Sequence, residues 1–338
     1  MKPFKLVVVG VGHVGSYVLA DAMKLGLFGE IALIDSNAEV ARGEALDQTH
    51  AAALTSLTNV HVHAGDYDTC ADADIIVVAA GPSVIPDPKD PTGRPDRSLL
   101  ATANAAVIRE VMTGITSFTR DAYVLLITNP LDTVVWIAEN EFDLPAGHVF
   151  GTGTMLDSAR LRTIVAQRYG VDPKSVSGYM MGEHGSTAFP VLSHVNVAGI
   201  PYGALGRRLN GAETLTNEQV REAVVRSAYD VFNAKGWTNA GVAQSAITMA
   251  RSILLDERTV HPASTTLRGE YGHDGDVALS MPCILGKEGI VRRIAVDLDP
   301  WETEQLARSI DFIRTTMAEV GAGVPAPATE EADRPAEG

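Results

Sequence analysis

Four short segments of this chain carry side chains that can move a proton or hold an anion. Gly182-Glu183-His184-Gly185 presents an imidazole between glycines, in a position open to a small molecule. Gly151-Thr152-Gly153-Thr154-Met155-Leu156-Asp157-Ser158-Ala159-Arg160 runs from a loop into a helix, with Asp157 and Arg160 three apart and so on one face. Asp96-Arg97-Ser98 closes a proline-rich stretch, and Gly10-Val11-Gly12-His13-Val14-Gly15 has the G-x-G-x-x-G spacing. A carboxylate touching an imidazole favours the imidazolium and fixes its tautomer, which would let His184 protonate an oxo group near neutral pH. A planar guanidinium binds both oxygens of a carboxylate. Hydride transfer to a 2-oxo acid asks for such a set: an acid for the developing alkoxide, a cation for the carboxylate and a donor to polarise the carbonyl. Each residue alone has a plainer reading: His184 in a turn, Asp157 at a helix start that favours carboxylates, Arg160 on the surface.

The glycine segment follows an apolar run and opens a helical pattern, the context that gives the spacing meaning. Gly10 permits the tight turn, Gly12 lets the backbone approach a pyrophosphate, and Gly15 lets helix and strand pack closely. The free N–H groups and positive dipole end of the helix then face the phosphates. Asp35 lies twenty residues after Gly15, at the end of the second apolar run. A carboxylate there accepts hydrogen bonds from ribose hydroxyls and repels a 2′-phosphate, so the expected cofactor is NAD and not NADP.

These residues need a frame. Short β-branched runs at Lys5–Val9, Ile31–Ile34, Val60–His63, Ile75–Ala79 and Tyr123–Ile127 alternate with helical patterns such as Val14–Leu25 and Ser98–Phe118. That alternation predicts an α/β fold, a doubly wound parallel sheet of the Rossmann type. After Gly151 the character changes to a mixed α+β unit. It has a long helical segment over 217–255, β-like stretches at 277–284 and 291–296, and a closing helix from Pro300. The expected division is an NAD-binding domain at 1–150, a substrate domain at 151–320 and a tail at 321–338 whose Ala, Pro, Glu and Gly read as disordered. The connection from Gly81 to Arg97, with five prolines, is long for a strand-to-helix link and reads as a lid.

A net charge of −15 argues against nucleic acid as a partner. Two cysteines, Cys70 and Cys283, cannot build a disulfide framework, and no apolar run suggests a leader or a membrane span. A reducing, cytoplasmic setting is expected, with no structural metal.

Together the motifs resemble the lactate/malate dehydrogenase family, most of all its bacterial L-2-hydroxyisocaproate dehydrogenase branch. The likeness rests on Asp90-Pro91-Thr92-Gly93, Gly151–Arg160, Ser175-Val176-Ser177-Gly178-Tyr179 and Lys235-Gly236-Trp237-Thr238, and runs from Lys5 to about residue 318. The resemblance implies His184 as proton donor and acceptor, Asp157 as its partner, Arg160 as the grip on the substrate carboxylate and Arg97 as the loop-borne polariser of the carbonyl. It places Asn129 beside substrate and nicotinamide, Thr238 against the substrate side chain, and His13, Val14, Ala80, Gly81 and Thr128 along the cofactor. It also implies a homodimer or homotetramer. In the family one loop residue reads the substrate side chain, Gln for lactate and Arg for malate. Here the longer loop offers Val84 counted from one side and Pro91 from the other, with Lys89 and Arg94 nearby. A neutral, aliphatic 2-hydroxy acid is expected, and malate is the rival. Ser177 stands where relatives activated by a sugar bisphosphate carry histidine, so that control is not expected. A metal-dependent glycosidase would want a Cys/His pair that the motifs lack, and a non-catalytic NAD sensor has no use for His184, Asp157, Arg160 and Arg97 together.

Overall fold

The computed structural model describes residues 3–54, 58–83 and 97–323. Six parallel strands form its first half: β1 (Phe4–Val9), β2 (Phe28–Ile34), β3 (His61–Ala64), β4 (Ile75–Val78), β5 (Tyr123–Leu126) and β6 (Val149–Gly151). Their order, β3-β2-β1-β4-β5-β6, is that of a doubly wound nucleotide-binding sheet. All four residues of β4 are buried, as suits a strand covered on both faces. The covering helices are α1 (Gly15–Leu25), α2 (Ala38–Ala52), α3 (Arg97–Thr116) and α4 (Leu131–Asn140). In α1 the buried positions Gly15, Val18, Leu19, Ala22 and Met23 recur at helical spacing, so one stripe packs on the sheet.

From β6 the chain enters α5 (Met155–Tyr169) and then five two-residue strands, β7 (Val176–Ser177), β8 (Met180–Met181), β9 (Phe189–Pro190), β10 (Asn196–Val197) and β11 (Ile200–Pro201). Helices α6 (Leu205–Arg208), α7 (Asn217–Lys235) and α8 (Ala240–Leu254) follow. The antiparallel strands β12 (Thr259–Arg268), β13 (Asp274–Gly286) and β14 (Gly289–Arg293) extend the first sheet to nine strands, and α9 (Pro300–Glu319) closes the fold. β12 joins β6 through the pair Ser264 and Gly151. The main apolar core is continuous across that seam, running from Leu6 and Val77 to Ile247 and Leu279. A smaller core gathers Leu161, Val165, Tyr169, Val176, Met180 and Val220.

Two expectations change. The single helical segment over 217–255 is two helices, because Gly236 caps α7 in the left-handed region at φ +85° and Asn239 caps α8 through its side chain. β12 escaped the sequence reading because its centre is polar. Ser264, Thr265 and Thr266 are fully buried; the Ser264 hydroxyl donates to Asp132 of α4, and the Thr265 hydroxyl and Thr266 N–H donate to Glu139 of the same helix.

Candidate active site and dinucleotide cleft

Every expected cofactor residue lies just beyond the carboxyl end of a parallel strand, where a doubly wound sheet opens its crevice. The turn Gly10–Val14 joins β1 to α1, Asp35 follows β2, Ala80 and Gly81 follow β4, and Thr128 and Asn129 follow β5. The turn is tight in the way its glycines require. Gly10 sits at φ +89°, and a Cβ there would lie 2.6 Å from Ala80 Cα, while one on Gly15 would lie 1.9 Å from the Gly10 carbonyl oxygen. A Cβ on Gly12 would meet nothing within 4 Å, so the space before the second glycine is open. Helix α1 begins without a side-chain cap and without an acid in its first turn, so no side chain of its own competes with an anion for its N-terminal end. These features fit a dinucleotide pyrophosphate. Asp35 braces the turn, accepting from Val11 N at 2.8 Å and Asn37 N at 2.9 Å, and its oxygens retain lone pairs for ribose hydroxyls. Thr128 Oγ1 donates to Ala80 O at 2.7 Å. Asn104, fully buried, donates to both Pro82 O and Asn129 O and so ties the two neighbouring loops together. The Asn129 side chain is exposed, after which the chain passes through a cis Asn129–Pro130 bond into α4.

The residues expected to carry the acid–base chemistry converge from two elements. Asp157 occupies the first turn of α5, and its Oδ2 meets His184 Nδ1 at 2.7 Å. Its other oxygen accepts from Arg160 Nη1 at 2.8 Å. The start of α5 is stitched to β8, the strand that leads to His184. Thr154 Oγ1 donates to Met180 O, Ser158 Oγ donates to Thr154 O, and Met180 N donates to Ser158 Oγ. Gly182, at φ +91°, then bridges to Ser280 of β13 and turns the loop inward. Among the described residues nothing hydrogen-bonds His184 Nε2, which is therefore the nitrogen left for a ligand. Burial works against a charged His184, but Asp157 and then Asp132 outweigh it and raise its pKa above the ordinary imidazole value. Burial likewise opposes ionised Asp157, yet the His184 ring and Arg160 hold it below the usual carboxylate range.

Thr238 lies half-buried in the connector between α7 and α8. Its neighbour Trp237 stacks on His13 of the glycine turn, with ring centroids 3.9 Å apart and planes 8° from parallel. The connector between α7 and α8 thus touches the glycine turn directly. Arg97 opens α3, but its side chain lies outside the described residues, as do the whole of Val84, Lys89, Pro91 and Arg94. Sequence reasoning missed Asp132, which accepts from His184 N at 2.6 Å and from Ser264 Oγ at 2.6 Å. The available signal was an acidic residue within Leu131–Ala138, a run otherwise apolar enough to be buried on all sides.

Residues 4–151 match the model for the lactate/malate dehydrogenase NAD binding domain, and residues 154–323 match that for the lactate/malate dehydrogenase alpha/beta C-terminal domain. The L-lactate dehydrogenase 2 of Clostridium acetobutylicum is 42% identical over 313 residues, covering 93% of this chain and 96% of that protein. The L-lactate dehydrogenase of Selenomonas ruminantium is 42% identical over 320 residues, covering 95% and 98%. The crystal structure of a minor L-lactate dehydrogenase from Enterococcus mundtii superposes with a TM-score of 0.86 at 31% identity, covering 95% of this chain and 99% of that one. The chain belongs to the lactate/malate dehydrogenase family. It is an NAD-dependent oxidoreductase that acts on the CH–OH group of an L-2-hydroxy acid. No helix among the described residues is long and apolar enough to cross a membrane.

Proposed function

We propose that this enzyme interconverts 2-oxo acids and L-2-hydroxy acids whose side chains are neutral and apolar, L-lactate being the compound named for its relatives. The acid–base and anion-binding part of the reading is carried by the linked set His184–Asp157–Arg160, in which one buried carboxylate orients both an imidazole and a guanidinium, and the neutral side chain is supported by relatives named L-lactate dehydrogenase. When bound, NADH supplies the hydride and NAD takes it up. His184 Nε2 gives a proton to the carbonyl oxygen during reduction and recovers it from the hydroxyl during oxidation. Asp157 fixes the tautomer by accepting from Nδ1–H and stabilises the imidazolium. The Arg160 N–H groups not engaged with Asp157 grip the substrate carboxylate. Arg97 polarises the carbonyl as its loop closes, Asn129 positions the reacting carbon, and Thr238 borders the side chain. His13, Val14, Ala80, Gly81 and Thr128 line the cofactor with the three fingerprint glycines and Asp35.

The same reading divides the chain by task, with 1–150 holding the cofactor and 151–320 the substrate groups. It extends to a cytoplasmic homodimer or homotetramer, supported by the exposed Val40, Leu46 and Leu54 on and beside α2 and by two buried, unpaired thiols. The test is kcat/KM with NADH for pyruvate, 2-oxoisocaproate and oxaloacetate. Both neutral acids should exceed oxaloacetate by roughly tenfold or more, since the counted loop positions, Val84 and Pro91, offer a second carboxylate no charge. A preference for oxaloacetate would overturn the reading in favour of malate.

A further inference from the structure

Asp132 is a buried carboxylate with 2% exposure, set in the first turn of α4 on a helix whose neighbours are Leu131, Val134 and Val135. Its two oxygens meet the His184 peptide N–H and the Ser264 hydroxyl, each at 2.6 Å. No lysine or arginine among the described residues pairs with it. The charged groups acting on it are His184 and Glu183, both on the loop that carries the imidazole. An asparagine could satisfy both partners, because a peptide N–H only donates and a serine hydroxyl donates or accepts. Burying a charge there is costly, and the hydrogen bonds alone do not require it. What distinguishes the charge is its place beside His184.

We infer that Asp132 is a positioning residue for the acid–base step. It clamps the backbone of the His184 loop from α4 while Asp157 holds the ring from α5, and its negative charge supports the imidazolium. The loop is thereby fixed at two points by two helices, so the imidazole neither drifts nor loses its proton early. Burial pushes the Asp132 carboxyl up to about 6, while the hydrogen bonds donated by the Ser264 hydroxyl and the His184 N–H favour its ionised form. The inference rests on His184 being the acid–base group, and the experiment separates the two.

Asp132→Asn, Asp132→Ala, Ser264→Ala and His184→Asn are assayed for kcat and KM against pH in the reductive direction, with NADH binding and Tm measured alongside. Asp132→Asn should keep its NADH affinity and a Tm at or above wild type. The pH at which its reduction rate falls should move down by about half a unit, because the imidazolium has lost a nearby anion. Above that pH its kcat should drop about threefold, the change in protonated fraction that such a shift implies. Asp132→Ala should lose about tenfold or more, since the loop also loses an anchor. Ser264→Ala, which releases one side of the carboxylate, should shift the profile in the same direction by less, and it serves if Asp132→Ala does not fold. An inactive His184→Asn beside an Asp132→Asn with wild-type kcat and an unmoved profile would overturn this inference alone. An active His184→Asn would overturn the acid–base reading itself.

Discussion

Asp157 divides its two oxygens between His184 and Arg160, so one carboxylate sets both the proposed proton donor and the proposed anion grip. That arrangement makes Arg160 more than a positive charge. In the proposed role its fork would span Asp157 and the substrate carboxylate at once, which a lysine ammonium cannot do. Arg160→Lys should therefore raise KM for the 2-oxo acid by about tenfold to a hundredfold, with the NADH dissociation constant unchanged. Steady-state kinetics beside a fluorescence titration checks this; unchanged KM with weakened NADH binding would move Arg160 out of the substrate site. These residues were legible in the sequence because their cues are local: a histidine between glycines, and an acid and a base three apart at a helix start. Asp132 was not, because its partners lie 52 and 132 residues away and nothing near it in the chain marks them.

At the scale of elements, the glycine turn separates folding from binding. Gly15 packs against the Gly10 carbonyl with no room for a methyl, whereas Gly12 faces open space. Gly15→Ala should force α1 away from β1 and lower both stability and cofactor affinity, at a cost of about 1–3 kcal/mol. Gly12→Ala should melt like wild type yet bind NADH at least about tenfold more weakly, its methyl standing where the pyrophosphate approaches. Thermal melts and NADH titrations of the two variants check the contrast, and equal loss of Tm in both would contradict it. The parallel strands and α1 were legible from continuous apolar runs and helical spacing. The break between α7 and α8 was marked by Gly236 and Asn239, but the apolar pattern on both sides masked it. Strand β12 was hidden for a different reason: its buried serine and threonines are paid for by carboxylates of α4, a tertiary compensation that no local pattern carries.

At the scale of the molecule, β12 carries the nine-stranded sheet from the NAD-binding domain into the C-terminal domain, with the main core continuous beneath it. The imidazole sits where the two sides meet, held by α5 from one and α4 from the other, and the His13–Trp237 stack brings the α7–α8 connector onto the cofactor turn. The consequence is a single titrating proton whose affinity the whole arrangement sets. The surrounding carboxylates raise the His184 pKa above 6.5. With His184 as the proposed proton carrier, reduction requires the protonated ring, so its rate is full below that pKa and is lost as pH rises through it, while oxidation requires the neutral ring and gains over the same range. The most direct measurement is kcat/KM against pH in both directions, for the wild type and Asp157→Asn. Mirror-image profiles should cross at a common midpoint above 6.5 in the wild type and move to lower pH in the variant, which lacks the strongest charge supporting the imidazolium. Profiles of the same shape in both directions, or a midpoint that Asp157→Asn leaves in place, would contradict the assignment of His184 as the group that carries the proton.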